Sequence, residues 1–267
     1  MKKITTYSTA LFTSMFLMTA CTQHPAVPVT ENTTAEHHAS AHHTKHWGYA
    51  ADVGPSHWST LNDKFKMCSE GKEQSPINVV PSSDINLAKL ALNYAQGSKS
   101  VINNGHTVQV NIQSGDTLTI NGTAYELKQF HFHTPSENHI SGESFPLEAH
   151  FVHASADGKL AVIAVMFKEG SENPTLNKII KTFPLEKNQE ATLAFSKEYL
   201  DVVMPNSREY YHFMGSLTTP PCSEKVNWFV LKTTQTASAE QIAAMHKEIG
   251  MNNNRPIQGT NGRSIEK

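Results

Sequence analysis

A strictly alternating stretch, QFHFHTPSEN at residues 129–138, constrains this chain more than any other part of its sequence. Alternation is the period of a β-strand, in which successive side chains point to opposite faces. His131 and His133 would therefore share one face, and Phe130 and Phe132 would lie on the other. Two imidazoles side by side suggest part of a metal site. The competing interpretation is a half-exposed strand with two solvated histidines.

A second histidine pair lies in LEAHFVHA, which begins at Leu147, and strand parity separates its two members. His150 falls in phase with Glu148, whereas His153 falls in phase with the apolar residues of the segment. A catalytic zinc site needs three protein ligands and one open position. A carboxylate on the ligand's own face can also orient that ligand. We therefore predict His150 as the third ligand and His153 as a structural histidine.

The middle of the chain is predicted to be mainly β. Residues 106–112 alternate, and Asn121–Gly122 is a strong hairpin signal before a strand over 123–133. Two further strands are predicted at 147–153 and 160–168. Strands thus dominate this part of the chain.

Two helices are predicted as peripheral cover. Asn173 caps the first, which has a proline in its first turn and an apolar stripe that extends to Phe183. Ser238 caps the second with Gln241 as its capping-box partner, and Gly250 ends it.

The composition allows one sizeable domain and excludes one function class. The 267 residues are 38% hydrophobic, and no shift of composition appears after residue 46. The net charge of -2, without a long basic run, lacks the positive surface that nucleic-acid binding requires. We predict a single domain over residues 46–267 that binds no nucleic acid.

The N-terminal residues are predicted to be a secretory signal of the lipoprotein type. Residues 1–20 place two lysines before an apolar stretch too short and too rich in Thr and Ser for a membrane span. Met18–Cys21 resembles a bacterial lipobox, in which the cysteine receives lipid. We predict an exported protein of the periplasm or cell envelope, whose only membrane contact is a lipid at Cys21. An ordinary cleaved signal with an incidental cysteine is the alternative.

Residues 21–45 are predicted to be a disordered tether. Five histidines occur there among Pro, Thr, Ala and Ser, and no apolar periodicity appears. A solvated polar linker is one interpretation, and loose binding of metal ions is the other.

Three cysteines in an exported chain leave one thiol to explain. If Cys21 carries lipid, Cys68 and Cys222 remain as a pair, and export permits their disulfide. Two separate buried thiols are the alternative.

Seven short stretches of the chain occur in the order of one known family. They are HWGY (46–49), QSPIN (74–78), NNGH (103–106), QFHFHTPSEN (129–138), EAHFVH (148–153), GSLTTPPC (215–222) and NNRPIQ (253–258). Together they closely resemble the α-class carbonic anhydrases in their bacterial exported form. The resemblance implies a single α+β domain, mainly β. This domain would have a twisted, largely antiparallel sheet of ten strands, with short peripheral helices. The resemblance also implies one zinc ion as the cofactor, and CO2 and bicarbonate as the substrates.

The resemblance gives the matching residues around the metal their expected roles. His131, His133 and His150 match the zinc ligands. Gln129 and Glu148 match residues that orient ligand histidines from behind.

The resemblance also implies the parts that act on the reactants. Thr218 matches the residue that accepts a hydrogen bond from the zinc-bound hydroxide and passes one to Glu137. His106 matches the proton shuttle, although without the resemblance it would be a surface histidine after a turn. The apolar CO2 pocket corresponds to Val152, Val162, Leu217 and Trp228, and the residue beside the hydroxide to Thr219. Tyr49 and Asn104 match the residues that order water in the cleft. Cys68 and Cys222 match the disulfide of bacterial members.

Two departures and two rival functions accompany this interpretation. Thr134 and Asn138 stand where animal members carry Trp and His. A catalytically silent binding domain of the family would be expected to lack a ligand histidine or the Thr–Glu pair, and this chain has both. A zinc-scavenging envelope protein would act through the His-rich tether. The histidines that receive no role are His57, His139, His212 and His246.

Overall fold

The computed structural model describes residues 46–267. The predicted signal peptide (1–20), the His-rich tether (21–45) and the lipid site at Cys21 lie outside the described residues. Residues 46–267 fall in a single compact unit. None of the helices in this range is long and apolar enough to cross a membrane.

Thirteen β-strands account for most of the regular structure within residues 46–267. They are β1 (Asn78–Val79), β2 (Ala91–Asn93), β3 (Ser98–Asn103), β4 (Val108–Ile112), β5 (Thr117–Ile120), β6 (Thr123–His133), β7 (His139–Ile140), β8 (Leu147–Ser155), β9 (Leu160–Glu169), β10 (Glu190–Thr192), β11 (Tyr210–Ser216), β12 (Glu224–Leu231) and β13 (Gln235–Ala237).

Eleven of these strands form one large sheet in the order β10-β3-β4-β6-β8-β9-β12-β11. In addition, β5 joins β2 to β6, and β13 pairs with β9. All pairs in this sheet are antiparallel except those of β9 with β12 and with β13. The mainly β class is therefore confirmed, with eleven strands in place of the ten that the resemblance implied. Strands β2, β10 and β13 have three residues each, which is too short to leave a periodic signal in the sequence.

The hairpin between β5 and β6 turns where the sequence predicted it. Asn121 and Gly122 have φ values of 49° and 80°. Two consecutive positive φ values are what a type I′ turn requires, and Asn-Gly is its preferred sequence. This turn fixes the register of β6 and hence which of its side chains face the site.

Five short α-helices and two 3₁₀ helices cover the sheet in the described range. The α-helices are α1 (Trp58–Leu61), α2 (Met67–Glu70), α3 (Pro174–Ile180), α4 (Lys197–Val203) and α5 (Ala239–Ile249), and the 3₁₀ helices are Ala51–Val53 and Asp63–Phe65. Helix α5 has the predicted Ser238–Gln241 capping box, and Gly250 ends it at a φ of 80°.

Helix α3 begins as predicted and ends earlier than predicted. The side chain of Asn173 accepts hydrogen bonds from the N–H groups of Thr175 and Leu176. The helix ends at Ile180, before Phe183. Phe183 precedes a proline, whose ring disfavours helical backbone at the residue before it. The Phe183 ring nevertheless packs against the main core.

Two apolar cores lie against the sheet. The main core contains Phe130 and Phe132 of β6 and Phe151 of β8, all three fully buried. A second core contains Val162 of β9 and Trp228 of β12. The alternation in β6 thus places its phenylalanines in the main core and leaves its histidines on the opposite face.

Candidate active site

Three histidines meet on the face of the sheet opposite the main core. His131 lies directly across from His150 in the ladder between β6 and β8, and His133 is two residues further along β6. One nitrogen from each ring lies within 4.8 Å of the others. Strand parity therefore identified the histidine of LEAHFVHA that joins the cluster.

Each histidine of the cluster has one ring nitrogen close to an oxygen atom. These pairs are His131 Nδ1 with Gln129 Oε1 at 2.9 Å, His133 Nδ1 with the Asn253 carbonyl oxygen at 2.7 Å, and His150 Nε2 with Glu148 Oε1 at 2.8 Å. The nitrogens left over are Nε2 of His131, Nε2 of His133 and Nδ1 of His150. These are the three atoms that could hold a metal ion.

The cluster is suited to a metal that prefers neutral nitrogen ligands. Burial lowers the pKa of all three imidazoles, and the neighbouring histidines lower those of His131 and His150 further. A neutral imidazole is the form that binds a metal. His133 Nε2 is buried without a hydrogen-bond partner. Such an atom costs about 1–3 kcal/mol unless something satisfies it, and a bound cation would do so.

Glu148 is held in place behind His150 by its neighbours. Its Oε2 accepts hydrogen bonds from the N–H groups of Glu137 (2.6 Å) and Asn138 (2.9 Å). Its Oε1 accepts one from Asn138 Nδ2 at 2.8 Å. Burial raises the pKa of Glu148, and the bonds from Asn138 act against that rise. Asn138 therefore fixes the carboxylate that faces the His150 ring.

Glu137 lies between the histidine cluster and Thr218. Its Oε1 accepts a hydrogen bond from the Arg255 N–H at 2.9 Å, and its Oε2 is 3.4 Å from His133 Nε2. Burial raises the pKa of Glu137 well above its usual range, and a hydrogen bond with the Thr218 side chain opposes that rise. The predicted partners Glu137 and Thr218 therefore lie close together beside the three histidines.

Four apolar residues predicted to line a substrate pocket pack together next to the cluster. Val162 is the register partner of Val152 on one side and of Trp228 on the other. Val152 and Leu217 pack against the second core that contains Val162 and Trp228. The Trp228 ring meets the His150 ring edge-on, with centroids 5.0 Å apart. The site therefore has an apolar wall beside its ligands.

A family model described as eukaryotic-type carbonic anhydrase matches residues 53–267. The chain belongs to the α-class carbonic anhydrase family. A carbonic anhydrase of Pectobacterium atrosepticum is 47% identical over 227 residues, which cover 85% of this chain and 93% of that protein. Membership of this family of enzymes fits the histidine cluster and the Thr–Glu pair.

Solved α-carbonic anhydrases share the fold. The α-carbonic anhydrase of Photobacterium profundum has a TM-score of 0.78 and 45% identity, over 83% of this chain and all (100%) of that one. The enzyme from Thermovibrio ammonificans, solved with the inhibitor sulfanilamide, has a TM-score of 0.79 and 42% identity, over 83% and 99% of the two chains.

His106 and Tyr49, two further residues predicted for the site, lie in one aromatic group with Trp47. The His106 ring stacks on Trp47, with centroids 3.8 Å apart and planes 9° apart. Burial, His46 and Lys187 lower the pKa of His106 to about 4. Tyr49 also contacts this group, edge-on to Trp47 and to His106. The predicted shuttle is therefore held against an indole.

Asn104 and Thr219, which were also predicted for the site, have local structural contacts. Asn104 Oδ1 accepts hydrogen bonds from the N–H groups of His106 and Thr107, both at 2.9 Å, so it shapes the turn that presents His106. The carbonyl of Thr219 accepts a hydrogen bond from the Cys222 N–H at 2.9 Å. Thr219 thus lies in the turn between Thr218 and the disulfide.

The predicted disulfide is confirmed, because Cys68 and Cys222 are bonded across a sequence separation of 154. Arg255 Nη2 donates to the Cys68 carbonyl at 2.7 Å. Gln74 Nε2 donates to the Cys222 carbonyl at 3.0 Å. Since the Arg255 N–H also bonds Glu137, the disulfide is connected to the site through one residue.

Sequence reasoning gave no role to three residues that the structure places in direct support of the site. Asn138 was named only as a difference from animal members. Asn253 and Arg255 belong to NNRPIQ, which was used only as one of the seven stretches that carry the family resemblance. All three are almost fully buried. A polar residue in an apolar setting is usually hydrogen-bonded, but the sequence does not say to what.

Proposed function

We propose that this chain is a zinc enzyme that interconverts CO2 and water with bicarbonate and a proton. The observation that carries the proposal is the cluster of three histidines, two buried and one partly buried, whose remaining nitrogens converge beside an apolar wall. Three protein ligands and an open position are the pattern of catalytic zinc sites. Membership of the carbonic anhydrase family supports the same reaction.

His131, His133 and His150 would hold the zinc ion. When bound, zinc supplies a Lewis acid that lowers the pKa of water from 15.7 to about 7, a value established on carbonic anhydrase itself. Neutral ligands suit this task, because thiolate or carboxylate ligands would offset part of the charge of the metal. The oxygen atoms beside Nδ1 of His131 and His133 and beside Nε2 of His150 fix the tautomers and ring orientations.

Glu137 and Thr218 would orient the attacking water. When the Thr218 hydroxyl donates its hydrogen bond to the Glu137 carboxylate, its oxygen is left to accept a hydrogen bond from the nucleophile. That bond directs the lone pair of the nucleophile toward the carbon of CO2. The Arg255 N–H supports the charged form of Glu137, and a divalent cation at the histidines would lower its pKa further.

The apolar wall would hold CO2, a small molecule without a net dipole. The side chains of this wall, Val152, Val162, Leu217 and Trp228, offer no free hydrogen-bond donor to CO2. The one polar group among them, the Trp228 indole N–H, donates to the Ser216 carbonyl at 3.0 Å. Bicarbonate is charged and well hydrated, so the same wall favours its departure. The half-buried Thr219 adjoins Thr218 at the edge of this wall.

His106 would carry the released proton from the site to buffer. An acid of pKa about 7 loses its proton directly to water at no more than about 10³ per second, given diffusion-limited recombination. Carbonic anhydrase turns over at about 10⁶ per second, so a relay is required. Stacked on Trp47, His106 is a weak proton acceptor at neutral pH. Movement off the indole into water would return its pKa toward the usual value near 6.5. Tyr49 and Asn104 would order the water between His106 and the metal.

Replacement of His106 tests this relay. In His106→Ala we expect kcat in dilute buffer to fall about 10²-fold, with kcat/KM for CO2 nearly unchanged and zinc retained. Added imidazole should restore kcat, because it supplies the missing base from solution. His139→Ala, in a half-buried histidine without a predicted role, serves as the control. An unchanged kcat in dilute buffer would show that His106 is not the shuttle.

The chain would act outside the cytoplasm. The disulfide supports export, since such bonds persist in oxidising compartments. The leader pattern and Cys21 support a lipid anchor in the cell envelope. Cell fractionation checks this, because Cys21→Ser should move the protein from the membrane fraction to the soluble one. If the distribution does not change, Cys21 does not carry the anchor.

A further inference from the structure

Asn253 uses every polar group that it has within the site. It is fully buried, and its backbone carbonyl accepts the hydrogen bond from His133 Nδ1 at 2.7 Å. Its side-chain Oδ1 accepts one from the Thr134 N–H at 2.8 Å. Its Nδ2 donates to the carbonyls of Phe132 at 2.9 Å and His106 at 3.0 Å. One side chain therefore connects both neighbours of a ligand histidine to the backbone of His106.

The connection to His106 lies beyond the end of the sheet ladder. Strands β4 and β6 pair from Gln109 opposite His131 to Asn111 opposite Gln129, and this pairing stops before residue 107. Thr107 extends it by one step, because its hydroxyl donates to the Phe132 carbonyl at 2.5 Å. His106 is one residue further out. Its carbonyl is joined to the ligand strand by the Asn253 amide.

The three side-chain bonds require an amide. Two carbonyls and one N–H surround the group, and an asparagine side chain offers two N–H donors and one acceptor. Aspartate would turn an acceptor toward two carbonyls. Alanine would leave the Thr134 N–H and the His106 carbonyl without this partner, and the Phe132 carbonyl with only the bond from Thr107. The bond to His133 differs, because it uses the backbone carbonyl of residue 253, which any amino acid retains.

We propose that Asn253 is a positioning residue for proton release, which sets the place of His106 relative to the ligand strand. The proposal rests on the proposed function, because it needs His106 to be the proton carrier. Asn253 acts through the backbone of His106 and touches no reactant. Its side chain therefore governs proton release, while its backbone supports the ligand His133.

Asn253→Ala is the variant that separates these two roles. We expect one zinc per chain and a kcat/KM for CO2 within about twofold of the unmodified protein. We expect kcat in dilute buffer to fall about tenfold, because a misplacement of about 1 Å is costly in catalysis. In the His106→Ala background, Asn253→Ala should change kcat by less than about twofold. The two losses should not add, because both residues act on the same proton transfer.

A readout without metal accompanies the kinetics. The Thr134 amide hydrogen of the metal-free protein should exchange with deuterium at least about tenfold faster in Asn253→Ala, because its acceptor is gone. Asn173→Ala is the matched control. It removes another buried asparagine, which caps α3 and makes no contact with His106, so it should lower stability without lowering kcat relative to kcat/KM.

Three outcomes would overturn the proposal. Equal losses in kcat and kcat/KM would make Asn253 a structural residue only, as would the same split in Asn173→Ala. Additive losses with His106→Ala would place it on a different path. If Asn253→Ala does not fold, Asn253→Ser is to be measured in the same way. Unmodified protein that does not hydrate CO2 would instead contradict the proposed function, while the Thr134 exchange would still report on the Asn253 contacts.

Discussion

We expect the purified His150→Ala variant to carry no stoichiometric zinc. Its rate of CO2 hydration should fall to that of the uncatalysed reaction. The variant leaves two ligand nitrogens, both on β6, where the structure places three within 4.8 Å of one another. Without the metal, the pKa of water returns to 15.7, almost nine units higher. A loss of activity of at least about 10⁴-fold should follow. Metal analysis of the purified protein and stopped-flow measurements of CO2 hydration give the two readouts.

His153→Gln is the matched control for that variant. His153 is three residues away on β8 and fully buried, but it contacts the Tyr94 hydroxyl at 2.6 Å on the other face of the strand. Glutamine keeps a polar group for that hydroxyl. The control should retain zinc and activity with some loss of stability. Zinc retained in His150→Ala, or lost in His153→Gln, would contradict the parity argument that chose between the two histidines.

Removal of the disulfide is expected to have the largest effect on stability. Cys68→Ser combined with Cys222→Ser opens a loop with a sequence separation of 154. In the chain-entropy model this costs about 5 kcal/mol of unfolding free energy. With a urea dependence of about 2.5 kcal/mol per molar, the midpoint should fall by about 2 M. Urea unfolding of the variant and of unmodified protein measures the shift directly.

The same variant should also lower catalytic activity. Arg255 and Gln74 hold the two cysteine carbonyls, and the Arg255 N–H holds Glu137. Weaker positioning of Glu137 should lower kcat/KM, whereas zinc remains bound by the three histidines. Ser69→Ala, at an exposed neighbour of Cys68, is the control and should change neither property. A urea midpoint that stays within error of the unmodified protein would refute the proposed contribution of the disulfide.

The parts of this protein that follow from its sequence depend on local periodicity. The alternation in β6 predicts both its faces, and parity in β8 separates His150 from His153 because a strand has only two sides. Helix caps at Asn173 and Ser238 are likewise local signals. Short edge strands such as β10 gain their order from a partner distant in sequence, so they leave no periodic pattern.

The parts that could not be predicted depend on contacts between distant segments. Asn253 and Arg255 act through backbone carbonyls and N–H groups that no residue pattern reveals. The low pKa of His106 arises from its burial and from His46 and Lys187, which are both distant from it in the sequence. The family resemblance supplied the role of His106, but not the environment that sets its proton affinity.

Stopped-flow CO2 hydration by the same preparation with and without zinc tests the central claim most directly. Protein stripped of metal by a chelator should be inactive, and one equivalent of zinc should restore a turnover on the order of 10⁵–10⁶ per second in imidazole buffer. Folded protein that carries one zinc per chain and hydrates CO2 no faster than the metal-free sample would contradict the account.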